Sequence, residues 1–208
     1  ALASDVAAYK KLFRYMLIMS IALTAIHVMV AFTPLFYVVA GNLLKVPIEL
    51  HESGRLGLQI MTPWTIMIAW RRLNQGAMIK YGNSRAVAVG TAIRLVTLIT
   101  VLTIGMNYTG WSGVMTGSIA VAIAVTIEAL YAHVTVQKIL KTNLPLSSDA
   151  KPITRDSFVR FYLPLAMTPL LTLLLHPAGA AGMSRMPDAL ASLASWPVVW
   201  GLVFLLRS

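Results

Sequence analysis

"WSGVMTGSIAVAIAVTIEALYAHVTV", residues 111–136, decides the fold class of this chain. The run is predominantly apolar, and its one charged residue is Glu128. A helix needs about 20 such residues to cross the ~30 Å hydrocarbon core of a bilayer at ~1.5 Å per residue. The stretch therefore predicts a membrane-spanning α-helix with a carboxylate inside it.

The composition of the whole chain agrees with a membrane protein. Of its 208 residues, 58% are hydrophobic and only 12% are charged. A soluble domain of this length has too much surface to be covered by so few charges, whereas a lipid-facing surface needs none. The chain has no cysteine, which excludes disulfides and thiolate metal sites. We predict an all-α integral membrane protein with no cofactor and no bound metal.

Five further apolar runs resemble spans. Two are long, at residues 15–40 and 86–106. Three are shorter, at 56–70, 161–175 and 189–206, and each is near or below the length that crosses a bilayer. Together with the 111–136 run they predict six transmembrane helices.

The distribution of basic residues indicates the orientation. With six spans, 13 of the 17 Lys and Arg residues fall on one side and 3 on the other, while Arg94 lies inside a span. Lys and Arg concentrate in cytoplasmic loops. Both termini are therefore expected in the cytoplasm, and the location is expected to be a bacterial cytoplasmic (inner) membrane. Because the net charge of +10 is scattered in short clusters between apolar runs, we do not expect nucleic acid as a partner.

One long polar connection divides the chain. "KTNLPLSSDAKPITRDS", residues 141–157, contains two prolines, three serines and mixed charges, as is typical of a linker. We expect an N-terminal four-helix membrane segment over residues 1–140, a cytoplasmic linker over 141–157, and a two-helix membrane segment over 158–208.

Ionisable residues inside the membrane are costly, so each calls for a partner or a function. Arg94 and Glu128 lie at the same expected depth on adjacent antiparallel helices, and a pair removes much of the cost of both charges. The pair is either structural or lines a transport path and changes partners. His27 is either a core histidine with satisfied hydrogen bonds or a cavity ligand for protons or substrate.

The sequence contains a small-residue packing motif but no recognisable enzyme motif. Gly113 and Gly117 have the small-xxx-small spacing that favours close helix packing. No known catalytic spacing is present, and a lipid enzyme would have only His27, Glu128 and His133 to use. We therefore predict that the chain is not an enzyme.

The basic stretch "AWRRLNQGAMIKYGNSRAVAVGTAIRL" resembles a helix junction of the multidrug, oligosaccharidyl-lipid and polysaccharide flippase superfamily. In that junction an Arg-x-x-x-Gln-Gly turn precedes a Gly-x-x-Arg helix start. The matching residues here are Arg71, Gln75, Gly76, Gly82 and Arg85. The segments "LPLA", "HP" and "SLASWPVVWGLVFLLRS" are similar to the progressive ankylosis protein family and its bacterial relatives.

This resemblance implies helices three to eight of a twelve-helix, two-lobe flippase fold, so the residues are a fragment or a shortened descendant. It also implies movement of an anionic metabolite or amphiphile, including lipid-linked substrates, by rocking of lobes in alternating access. Arg94 and Glu128 would then be the transport charge pair, with His27 as the cavity candidate. The candidates for a cytoplasmic gate or a lipid-anchoring element are Arg71, Arg72, Gln75, Gly76, Lys80 and Arg85.

The alternative belongs to another class of protein. A non-transporting scaffold subunit of a larger membrane complex would pack its short, proline-kinked spans against partner helices, lipid or pigment. Membrane lipids are expected partners in both cases, and partner membrane subunits are expected in the second.

Overall fold

A computed structural model describes residues 5–143 and 154–207. These residues form helices and turns and contain no β-strand. The α-helices are α1 Val6–Phe32, α2 Leu35–Tyr37, α3 His51–Ile60, α4 Thr62–Lys80, α5 Ser84–Tyr108, α6 Gly113–Asn143, α7 Arg155–Met183 and α8 Ala189–Arg207. A π-helix, Val38–Leu43, and a 3-10 turn, Ile48–Leu50, lie between α2 and α3.

Three helices in the described part of the chain are long and apolar enough to cross a membrane: α1, α5 and α6. They contain most of the three longest runs of the sequence. The other three spans, and the cytoplasmic position of the termini, stay predictions.

The first apolar run is divided, contrary to expectation. Residues 15–40 were predicted as one span, but α1 begins at Val6 and ends at Phe32. Pro34 follows; it has no N–H to continue the helical hydrogen bonds, and its ring clashes with the turn before it. At the other end, Asp5 Oδ1 accepts a 2.8 Å hydrogen bond from the Ala8 N–H, which caps α1 before the predicted run begins.

The Arg71–Gly76 part of the basic stretch is helical, whereas the resemblance implied a turn there. The helix is interrupted at Met61, between the end of α3 and the beginning of α4. Pro63 lies in the first turn of α4. From there α4 continues through Arg71 to Lys80. The reversal comes only at Gly82, whose φ of +73° is costly for any residue with a Cβ.

The described residues form two compact units, and the boundary between the first and second falls within α3 after Arg55. The first unit contains α1 and the chain from Leu56 to the end of α6. The second contains Thr33–Arg55 and the chain from Thr154 onward. The sequence had assigned residues 33–55 to the N-terminal segment. Residues 144–153, most of the predicted linker, lie outside the described residues.

In the first unit α4 packs against α1, α5 and α6, and α6 also packs along α5. The buried face of α6 includes small or β-branched side chains at four-residue spacing: Ala120, Ala124, Ala132 and Val136. Glu128 occupies the central position of this series. Because the neighbouring side chains are small, the facing helices approach α6 closely around the carboxylate.

The second unit combines the segment after α1 with α7 and α8. A capping box between Thr154 and Ser157 begins α7. The Ser184 hydroxyl, just after α7, lies 3.1 Å from the Leu44 carbonyl oxygen and donates to it. This hydrogen bond joins residues that are far apart in the sequence.

Candidate functional site

Glu128 is the centre of the candidate site. Its side chain is 0% exposed in the middle of α6. A carboxylate in that position is stable as an anion only if donors surround it. The donors come from α4 and α5.

Two residues of α4 bind the two oxygens of this carboxylate. Arg71 Nη1 donates to Glu128 Oε2 in a buried ion pair, and Gln75 Nε2 donates to Glu128 Oε1 over 3.1 Å. Arg71 and Gln75 are four residues apart, so they lie on the same face of α4 one turn apart. Each carboxylate oxygen therefore has its own donor from α4.

Arg94 adds a second positive charge from α5. Its Nε lies 3.5 Å from Glu128 Oε2. The Arg94 side chain is 35% exposed, whereas that of Arg71 is 6% exposed. Arg94 is thus the more accessible and more loosely held of the two guanidinium groups.

Gly90, one turn before Arg94, permits the close approach of α5 to α6. A Cβ at this position would lie 3.2 Å from Tyr131 Cδ1 and 3.6 Å from Glu128 Cγ. A larger side chain would push α5 away from the carboxylate, and Arg94 with it.

The cluster carries more positive than negative charge, and more donors than acceptors. Two guanidinium groups face one carboxylate, and within the described residues neither arginine pairs with another acid. In addition, Arg71 Nε and Asn74 Nδ2 are buried donors without a hydrogen-bond partner. Such an arrangement can accept an anion, because an anion supplies the charge and the acceptors that the cluster lacks.

The predicted residues of the basic stretch separate into two groups. Arg72, Gly76, Lys80 and Arg85 are exposed, as a surface element requires. Arg71 and Gln75 are buried against Glu128, so these two do not fit the lipid-anchoring interpretation.

Arg94 and Glu128 are brought together, but Arg71 was not expected as a partner. The sequence does contain a signal for Arg71 as a partner of Glu128. The buried residues Arg71, Asn74, Gln75 and Met78 follow the i, i+3, i+4, i+7 pattern of one helix face. Three polar side chains on the inward face of a helix indicate a buried polar partner.

His27 does not contact this cluster, and both of its ring nitrogens have hydrogen-bond partners elsewhere. Its Nε2 is 2.8 Å from the Leu58 carbonyl oxygen and must donate to it, because a carbonyl can only accept. In the neutral ring Nδ1 then accepts from the Thr65 hydroxyl over 3.1 Å. His27 thus links α1 to α3 and α4, which is the geometry of a core histidine.

Within residues 5–143 and 154–207, no three His, Asp or Glu residues are placed to hold a metal ion.

Comparison with protein-family models, with curated proteins and with solved structures finds no match. The likeness to flippases therefore stays a prediction from the quoted motifs.

Proposed function

We propose that this chain belongs to a membrane transporter that moves an anionic metabolite or amphiphile, with the Arg71–Glu128–Arg94 cluster on the substrate path. The observation that carries the proposal is the second arginine. A structural ion pair needs one guanidinium per carboxylate, and Arg71 with Gln75 already occupies both oxygens of Glu128. Arg94 is in excess and half-buried.

Arg94 has the properties of a group that exchanges partners. Its 3.5 Å separation from Glu128 Oε2 is longer than the 2.7–2.9 Å of a strong charge-assisted hydrogen bond. A substrate phosphate or carboxylate that reached Arg94 would replace a weak contact with a strong one, while Arg71 kept Glu128 neutralised. Binding would then cost little of the internal stability of the cluster.

The flippase resemblance supports the same class. It adds the proposals of six spans, cytoplasmic termini, a bacterial inner membrane, and alternating access of two lobes joined by residues 141–157. In that scheme the exposed basic residues Arg72, Lys80 and Arg85 face anionic headgroups or form a cytoplasmic gate.

Efflux from proteoliposomes tests the proposal. The natural protein containing these residues would be reconstituted with labelled pyrophosphate, ATP or citrate inside, one compound of each anionic class. Arg94→Gln should slow efflux of the accepted anion by roughly ten- to a hundredfold, the value of one hydrogen bond to a charged group. Arg94→Lys should retain part of the rate, because it keeps the charge.

The matched control is Arg14→Gln, an exposed arginine on α1 that belongs neither to the cluster nor to the proposed gate. It should leave efflux within about twofold of the natural rate, since exposed charges contribute little. The melting temperature of each variant, measured in detergent, separates loss of transport from loss of folding. Unchanged efflux in Arg94→Gln would remove Arg94 from the path. No efflux at all, with stable copurifying subunits, would favour the scaffold alternative.

A further inference from the structure

A second feature of the first unit is a cavity of about 410 Å³ between the beginning of α1 and the end of α6. None of the Glu128, Arg71, Gln75 or Arg94 side chains lines it. The lining residues are Val6, Tyr9, Lys10, Phe13, His133, Gln137, Leu140 and Lys141.

The cavity walls are two helix faces held apart by α4. The α1 residues recur at i, i+3, i+4 and i+7, and the α6 residues at i, i+4, i+7 and i+8, so each set forms one stripe. The Tyr9 hydroxyl donates to Asn74 Oδ1 over 3.2 Å, which ties α1 to α4. On the other side the Trp70 ring lies 4.8 Å from the ring of His133. Both walls are therefore positioned by packing against α4.

The lining combines positive charge with an apolar surface. Lys10 and Lys141 are exposed, one on each wall, and neither pairs with an acid in the described part of the chain. The nearby acid Asp5 is a cap of α1. Val6, Phe13 and Leu140 provide the apolar part. Two cations beside apolar side chains are complementary to an anionic amphiphile.

Two polar side chains of α6, His133 and Gln137, complete the lining. The Nδ1 of His133 is buried and has no hydrogen-bond partner, and the ring contacts Trp70 on one side. The amide of Gln137, one turn along α6, adds a donor on the same wall.

We propose that this cavity binds the phosphate of an anionic phospholipid, with Lys10 and Lys141 as its counter-charges. A lipid is favoured over a soluble phosphate because the two walls belong to helices long and apolar enough to cross a membrane, and the cavity lies at their ends. Headgroup and acyl chain meet at that depth, and basic pockets between helix ends bind such headgroups. The proposal does not depend on transport by the Glu128 cluster.

Native mass spectrometry of the detergent-solubilised protein tests it, with phosphatidylglycerol and phosphatidylcholine of equal chain length. Lys10→Gln with Lys141→Gln should weaken phosphatidylglycerol binding by roughly 30-fold, since each lysine near a lipid headgroup contributes about a factor of five. Lys11→Gln with Lys138→Gln is the matched control. These lysines are exposed neighbours on the same helices and do not line the cavity.

The expected result is a large loss of phosphatidylglycerol affinity in Lys10→Gln with Lys141→Gln. The affinity of Lys11→Gln with Lys138→Gln should change by less than twofold. Equal losses in both would overturn the proposal, because binding would follow total charge and not the cavity. Equal affinity for phosphatidylcholine would overturn the counter-charge role of the lysines. Displacement of the lipid by millimolar inorganic phosphate would show that the ligand is a soluble anion.

Discussion

Replacement of Glu128 by glutamine is the most informative perturbation of the buried cluster. Glutamine has nearly the same shape but no charge, so it leaves Arg71 facing a neutral amide in a position where its side chain is only 6% exposed. Removing one partner of a buried ion pair costs about 3–5 kcal/mol, because the remaining charge is uncompensated. Arg94, at 35% exposure, keeps partial access to solvent and adds less than about 1 kcal/mol.

For a chain of this size, 1 kcal/mol corresponds to about 2–4 °C in melting temperature. Glu128→Gln should therefore lower the melting temperature by roughly 6–24 °C, measured by intrinsic tryptophan fluorescence in mild detergent. Arg72→Gln, an exposed arginine adjacent to Arg71, is the control and should shift it by less than about 2 °C. A loss in Glu128→Gln no larger than that of the control would refute the reasoning, because the carboxylate would then not be holding a buried charge.

A double-mutant cycle separates the pair from the packing around it. Arg71→Met removes the buried cation, and Glu128→Leu removes the buried anion. The combined variant should be more stable than the sum of the two single losses predicts, by about 0.5–3 kcal/mol. Strict additivity would mean that the two side chains do not interact.

The remaining predictions concern packing and the His27 link. Gly105→Ala should lower stability by about 1–3 kcal/mol, because an added Cβ would overlap the Cγ2 of Thr116 on the facing helix. Gly117→Ala should be neutral or stabilising by up to about 1 kcal/mol, since nothing lies within 4 Å of its Cβ position. A lower melting temperature for Gly117→Ala than for Gly105→Ala would contradict this helix register. His27→Leu should cost about 1–3 kcal/mol by leaving the Leu58 carbonyl and the Thr65 hydroxyl without partners, and a wild-type melting temperature would show that neither hydrogen bond contributes.

The glycines show how far a small-residue pattern can be interpreted. Gly113 and Gly117 have the expected spacing, yet both face open space. Close approach occurs instead at Gly105 against Thr116, and at Gly57, where a Cβ would lie 3.0 Å from Ser118 Oγ. A small-residue spacing shows that a helix can be approached closely along one face. It does not show which helix approaches, because that depends on the rotation of both.

Hydropathy located the cores of the long apolar helices but not their ends. Hydrophobic length alone located the cores of α1, α5 and α6, because a helix that faces lipid must be apolar over its whole membrane depth. The ends of α1 depended on local chemistry at Asp5 and Pro34, which a hydropathy count does not weigh.

The sequence by itself determined that the chain is helical and apolar enough for a membrane, and that Arg94 and Glu128 share a depth. Both follow from composition and from the fixed rise of a helix, which converts residue number into position along its axis. Only the tertiary structure decided that Arg71 and Gln75 reach the same carboxylate, because α4 contacts α6 across more than fifty residues of chain. Which faces meet is set by the packing of all the helices together, and that packing leaves one arginine in excess beside a single buried acid.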